Sequence, residues 1–65
     1  MNKDNQSICQ IDQFGTKRWT LNGLFHREDG PAIESAYGDE YWFLHGKYIN
    51  SQKEFERLIK LKVLW

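Results

Sequence analysis

The sequence predicts an α+β mini-domain: a small antiparallel β-meander of two degenerate hairpin repeats, capped by a C-terminal α-helix. Three observations predict it. The stretch FGTKRWTLNGLF, beginning at Phe14, is echoed by YGDEYWFLHGKY, beginning at Tyr37. The first copy alternates apolar Trp19 and Leu21 with polar residues, and each copy then reaches a Gly turn. From Ser51 onward the apolar spacing becomes helical.

The elements follow in chain order. Residues 1–7 (MNKDNQS) are polar and expected to fray. Residues 8–65 form the one domain that 65 residues allow. Ile8–Asp12 and Ala32–Ala36 read as strands that precede the two copies. Phe14-Gly15 and Tyr37-Gly38-Asp39 mark turns before each Trp strand. Thr16–Leu21 places Trp19 and Leu21 on one face, as a period of two requires. Asn22-Gly23 is the strongest short hairpin signal, because both central residues of a type I′ turn need positive φ. In the second copy Trp42 and Leu44 share a face, and His45-Gly46 replaces Asn-Gly. Histidine tolerates positive φ less well than asparagine, so this turn signal is softer. Under one offset of 23 residues Gly15 matches Gly38, Trp19 matches Trp42, Leu21 matches Leu44, Gly23 matches Gly46 and Phe25 matches Tyr48. An internal repeat outranks other local signals.

Ser51-Gln52-Lys53-Glu54 has the form of a capping box, with Asn50 as a rival cap. Phe55, Leu58, Ile59 and Lys62 then fall at helical spacing, with Glu54, Arg57 and Lys60 outward. Leu61, Val63, Leu64 and Trp65 add apolar surface at the end. The helix is expected to cover one face of the sheet or its open end, since a repeat cannot bury its own apolar side.

Composition limits the function classes. At this size folding hides only about 60% of the unfolded chain's surface, so stability needs help. One cysteine, Cys9, excludes an internal disulfide, and His26 and His45 are the only histidines, so no zinc spacing exists and neither metal nor cofactor is expected. Three Trp, three Tyr and four Phe supply a large apolar payload instead. Lys plus Arg and Asp plus Glu balance at nine each, so no global field draws the chain to nucleic acid or membrane. There is no export signal and no run of about 20 apolar residues. A lone free cysteine fits a reducing cytoplasm.

The pattern from Gly15 to Glu34, with Trp19, Asn22-Gly23, His26-Arg27, Asp29-Gly30-Pro31-Ala32, resembles the "HREDGPA" repeat of small phage and bacterial proteins, distantly similar to MORN-type β-hairpin repeats. The resemblance covers Phe14 to Ile59. It implies tandem hairpins and a short terminal helix, and it carries no assigned activity. In the second copy Ile49-Asn50-Ser51 stands where His-Arg-Glu would be, so only one such loop exists.

Three readings compete for His26–Asp29. As a fold device, Asp29 accepts from a backbone N–H two residues on, Pro31 and Gly30 set the turn, and His26 and Arg27 bond carbonyls of the next turn. As a catalytic pair, His26 would be a general base oriented by Asp29, but no Ser or Cys nucleophile sits nearby in sequence and so small a chain offers little room for a pocket. As an interface, Arg27, Glu28 and nearby aromatics would meet a partner. In EYWFLHGKY, Tyr41 and Phe43 point away from Trp42 and Leu44. With Tyr48 they would form an aromatic patch on a sheet face that one helix leaves open. The alternative is that Leu64-Trp65 or a second subunit covers that face.

The expected function is therefore a small non-catalytic protein-binding module. Its partner-binding residues would be Arg18, Phe25, His26, Arg27, Glu28, Asp29, Tyr41, Phe43 and Tyr48, and no residue is assigned a catalytic role. The phage character of the repeat points to an inhibitor that occupies a surface of a larger host enzyme, one of defence or nucleic-acid processing, in the host bacterial cytoplasm. The alternatives are a nucleic-acid-binding module, in which Lys17, Arg18, Arg27 and Lys47 meet phosphates, and a self-assembling subunit, a homodimer formed through edge strands.

Overall fold

The structure, a computed structural model, describes residues 7–61. The elements are β1 (Ile8–Ile11), β2 (Lys17–Leu21), β3 (Leu24–Phe25), β4 (Ile33–Glu34), β5 (Glu40–Leu44), β6 (Lys47–Ile49) and α1 (Gln52–Lys60). They form a six-stranded antiparallel sheet with one C-terminal helix. The strand order is β1-β2-β4-β5-β6, and β3 also pairs with β2. The molecule is a slab of 36 × 29 × 15 Å. No helix of the described residues is long and apolar enough to cross a membrane.

The sheet departs from a simple meander at one place. β3 and β4 both lie along the same side of β2, end to end. Phe25 opposes Thr20 at one end, and Ile33 opposes Arg18 at the other. Trp19 sits at the joint: its N–H donates to the Ala32 carbonyl at 2.8 Å, and its carbonyl accepts from the His26 N–H at 3.1 Å. On the other flank the Ala32 N–H donates to Tyr41 O and the Gly46 N–H to Phe25 O, both at 2.8 Å. β3 and β4 are thus two halves of one strand, and residues 27–31 are looped out between them. The expected strand at Ala32–Ala36 shortens to two residues because Ser35 and Ala36 enter the next turn.

The turns have local causes. Asn22 and Gly23 take φ of 53° and 81°, and His45 and Gly46 take 53° and 82°. Both hairpins thus have the positive φ at two central residues that a type I′ turn requires. The turn after β1 is built by Asp12, whose Oδ1 accepts from the N–H groups of Phe14 and Thr16 at 2.8 and 3.1 Å. Around Ser35 the hydroxyl accepts from the Tyr37 N–H at 3.0 Å. In both turns the backbone bonds recur at the same spacing: Asp12 N–H to Thr16 O and Gly15 N–H to Asp12 O, then Ser35 N–H to Asp39 O and Gly38 N–H to Ser35 O.

The helix covers one face. Ser51 is its N-cap, with extended backbone and a side chain that accepts from the Glu54 N–H at 3.1 Å. The Glu54 carboxylate bonds Arg57, so it is engaged along the helix and only the Ser51 half of the expected box is seen. Phe55 packs with Leu44 and Ile49 as the core, flanked by Trp42, Leu58 and Ile59. Lys62, Val63, Leu64 and Trp65, expected at the helix end, lie outside the described residues, as do residues 1–6. Ser7, grouped by sequence with the fraying end, donates its hydroxyl to the His26 carbonyl.

Candidate functional site

The looped-out residues are held from within. The Arg27 guanidinium lies over the Trp19 ring, 3.7 Å from its centroid. Its Nε donates to Asp29 Oδ1 at 2.8 Å, and Nη1 donates to the Pro31 carbonyl at 3.0 Å and to Glu34 Oε2 at 2.9 Å. One planar fork therefore ties the start, middle and end of the loop to the strand that follows. Gly30 lets the guanidinium lie close: a Cβ on it would stand 3.0 Å from the Arg27 Cζ, and the side chain would have to shift. Asp29 serves Arg27, where the sequence suggested a turn-forming bond to the backbone.

His26 is 1% exposed. Its Nδ1 accepts from the His45 N–H at 2.9 Å, and its Nε2 faces Glu28 Oε2 at 3.3 Å. An amide N–H at Nδ1 fixes the ring proton on Nε2, so the imidazole is neutral and donates toward Glu28. The ring also lies against His45, tilted by 35° with centroids 4.2 Å apart. Burial pushes its pKa below the ordinary value of about 6.5, against the upward pull of Glu28. The sequence expectation that His26 bonds a carbonyl is corrected, because the ring nitrogen accepts. The expectation that it touches a partner is corrected too: a side chain this buried offers no contact area. As a general base it would have to release the His45 N–H first.

The second cluster lies on the sheet face opposite α1. Register places Phe25, Tyr41, Phe43 and Tyr48 on that face, since Trp42 pairs with Ile49 on the helix side. Phe43 is the hub, 5.2 Å from Phe25 and 5.5 Å from Tyr48 between ring centroids. Tyr41 is 40% exposed, Tyr48 55% and Ile8, at the far edge of the same face, 65%.

The expected site residues thus divide into two sets. Phe25, Tyr41, Phe43 and Tyr48 share the open face. His26, Arg27, Glu28 and Asp29 belong to the loop, with only Asp29 well exposed. Arg18 shares the open face's register with Ile33 and Tyr41, and its Nη1 donates to Asp12 Oδ2 at 3.0 Å. That bond, then the Phe14 N–H, hold the Asp12 carboxyl below the usual range. Two residues were missed by sequence reasoning. Trp19 acts as the bed for Arg27, and Glu34 as its partner seven positions on, a distance at which no local pattern gives a signal. Comparison of the chain with family models, with curated proteins and with solved structures gives no match.

Proposed function

We propose that this chain is a small non-catalytic protein-binding module that presents the open face of its sheet to a larger protein. The observation that carries the reading is the Phe25–Phe43–Tyr48 cluster beside exposed Tyr41, on a face without a covering layer among the described residues. Aromatic side chains that bury large area with a polar tip are the usual anchors of protein interfaces. The polar loop supports the same reading, because its His and Arg are occupied in bracing the sheet. Arg18 and Arg27, two of the four cations that would meet phosphates, are each engaged by a carboxylate, which weighs against nucleic acid.

The finer form of the reading is a two-copy degenerate HREDGPA-type repeat that serves as a phage-type inhibitor of a host defence or nucleic-acid-processing enzyme. The 23-residue offset supports the repeat, and the inhibitor role rests on analogy with other small phage proteins. The test is affinity capture from bacterial lysate, with and without nuclease, using wild type and Tyr41→Glu/Tyr48→Glu. The expected result is a stoichiometric protein that survives nuclease and is lost with the double variant. Recovery that nuclease abolishes would replace the reading with nucleic-acid binding. A second reading rests on β1: its sequence ICQI has neither charge nor proline, and Ile8 and Ile11 are both exposed. Such an unguarded edge accepts a second copy, and a molecular mass that rises with concentration would favour it.

A further inference from the structure

A groove of about 510 Å³ runs between the looped-out residues and α1, on the helix side of the sheet and so away from the aromatic face. Trp42, Phe55 and Ile59 line it, and the two rings lean together at 46° with centroids 6.5 Å apart. Carboxylates from three separate elements also line it: Glu28 and Asp29 from the loop, Glu40 from β5 and Glu56 from α1. Lys60 is the one cation in the lining.

The charges at this groove are more than the fold uses. Glu40 stands directly across from Glu34 in the β4–β5 register, a like-charge pair that costs stability. Arg27 bonds Glu34, and among the described residues Glu40 has no ion-pair partner. Among the described residues Glu56 accepts only from the neutral amide of Gln52, at 3.1 Å. Among the described residues no ion pair engages either carboxylate, Lys60 included, so both would gain from a cation brought to the groove.

From this apolar bed and acidic rim we infer that the groove is a docking site for a basic peptide segment of a partner protein, seated through a lysine or arginine side chain. The aliphatic stem lies along half-buried Trp42 and Ile59, and the cationic head meets Glu40 and Glu56. The site is independent of the aromatic face, so one can fail while the other stands.

The test is an NMR titration of the full 15N-labelled chain with a blocked peptide, acetyl-Ala-Lys-Ala-Lys-Ala-amide, against the same peptide with norleucine for lysine. The expected shifts concentrate on the Trp42 indole N–H and the Gly30 and Ile59 amides, while Phe43 and Tyr48 stay still. The norleucine peptide binds at least tenfold more weakly, and Glu40→Gln/Glu56→Gln weakens the lysine peptide about tenfold, the effect of two unit charges a few ångströms away. Far-ultraviolet circular dichroism checks that the variant is folded. Equal binding of the norleucine peptide, shifts spread over every carboxylate of the surface, or an unchanged affinity in the folded double variant would each overturn the proposal.

Discussion

The hairpins β2–β3 and β5–β6 turn alike and cover their tryptophans differently. In each, a Trp-x-Leu strand runs into a two-residue turn with nearly identical φ values. Beyond the turn they diverge. After Phe25 the chain loops out and sets the Arg27 guanidinium on Trp19. After Ile49 it enters α1 and sets Phe55 beside Trp42. A charged side chain covers a ring only if its remaining donors are satisfied, so the first solution needs Asp29, Pro31 and Glu34 around it. The second needs only apolar surface. Much of the polar character of the loop follows from that first requirement.

The largest break in this comparison is Phe55→Ala. Phe55 is 5% exposed and anchors the core. Truncating a buried Phe costs about 3–5 kcal/mol, nearly all that so small a domain holds. Circular dichroism is expected to show a largely unfolded chain at 25 °C. Arg27→Ala is milder, about 2 kcal/mol for the ring contact and the charged bonds together, or roughly 10 °C in melting temperature. Arg27→Lys restores the charge without the fork and is expected to recover less than half of that loss.

Acid sharpens the comparison, because only the first hairpin has a buried imidazole. The His26 pKa in the folded chain lies below 6.5, so the unfolded chain takes up a proton that the folded chain refuses. Its contribution is complete above the unfolded value and falls as pH drops below about 6.5, levelling off once the folded pKa is passed. Urea melts at pH 7.5 and 5.5 are expected to show lower stability at the acid pH, a difference that His26→Ala removes. The smallest effect is the exchange of turn residues. His45→Asn is expected to raise stability and Asn22→His to lower it, each by less than about 1 kcal/mol, because asparagine accepts positive φ more readily.

Local chemistry was legible in the sequence. Asn22-Gly23 announces its turn, Ser51 its helix start, and a period of two applied to Tyr41–Leu44 the two faces of β5. His45-Gly46 is a weaker signal, yet it adopts the same dihedrals as Asn22-Gly23. The interrupted strand was not legible. It depends on Trp19 bonding both His26 and Ala32, and nothing in HREDGPA says that residues on either side of the loop rejoin one line. The role of His26 was hidden for the same reason: its partner is a backbone N–H 19 residues away. The groove was missed because its walls come from the loop, β5 and α1, which only the folded sheet brings together.

The His26 ring separates an internal brace from a reactive group most directly. Its 15N resonances across a pH titration are the measurement to make. An internal brace gives a neutral ring at pH 7, with Nδ1 unprotonated and coupled to the His45 N–H, the proton on Nε2, and a midpoint below 6.5. A ring protonated at Nδ1, titrating at its ordinary value while the His45 N–H exchanges freely with water, would contradict it and make His26 a group open to chemistry.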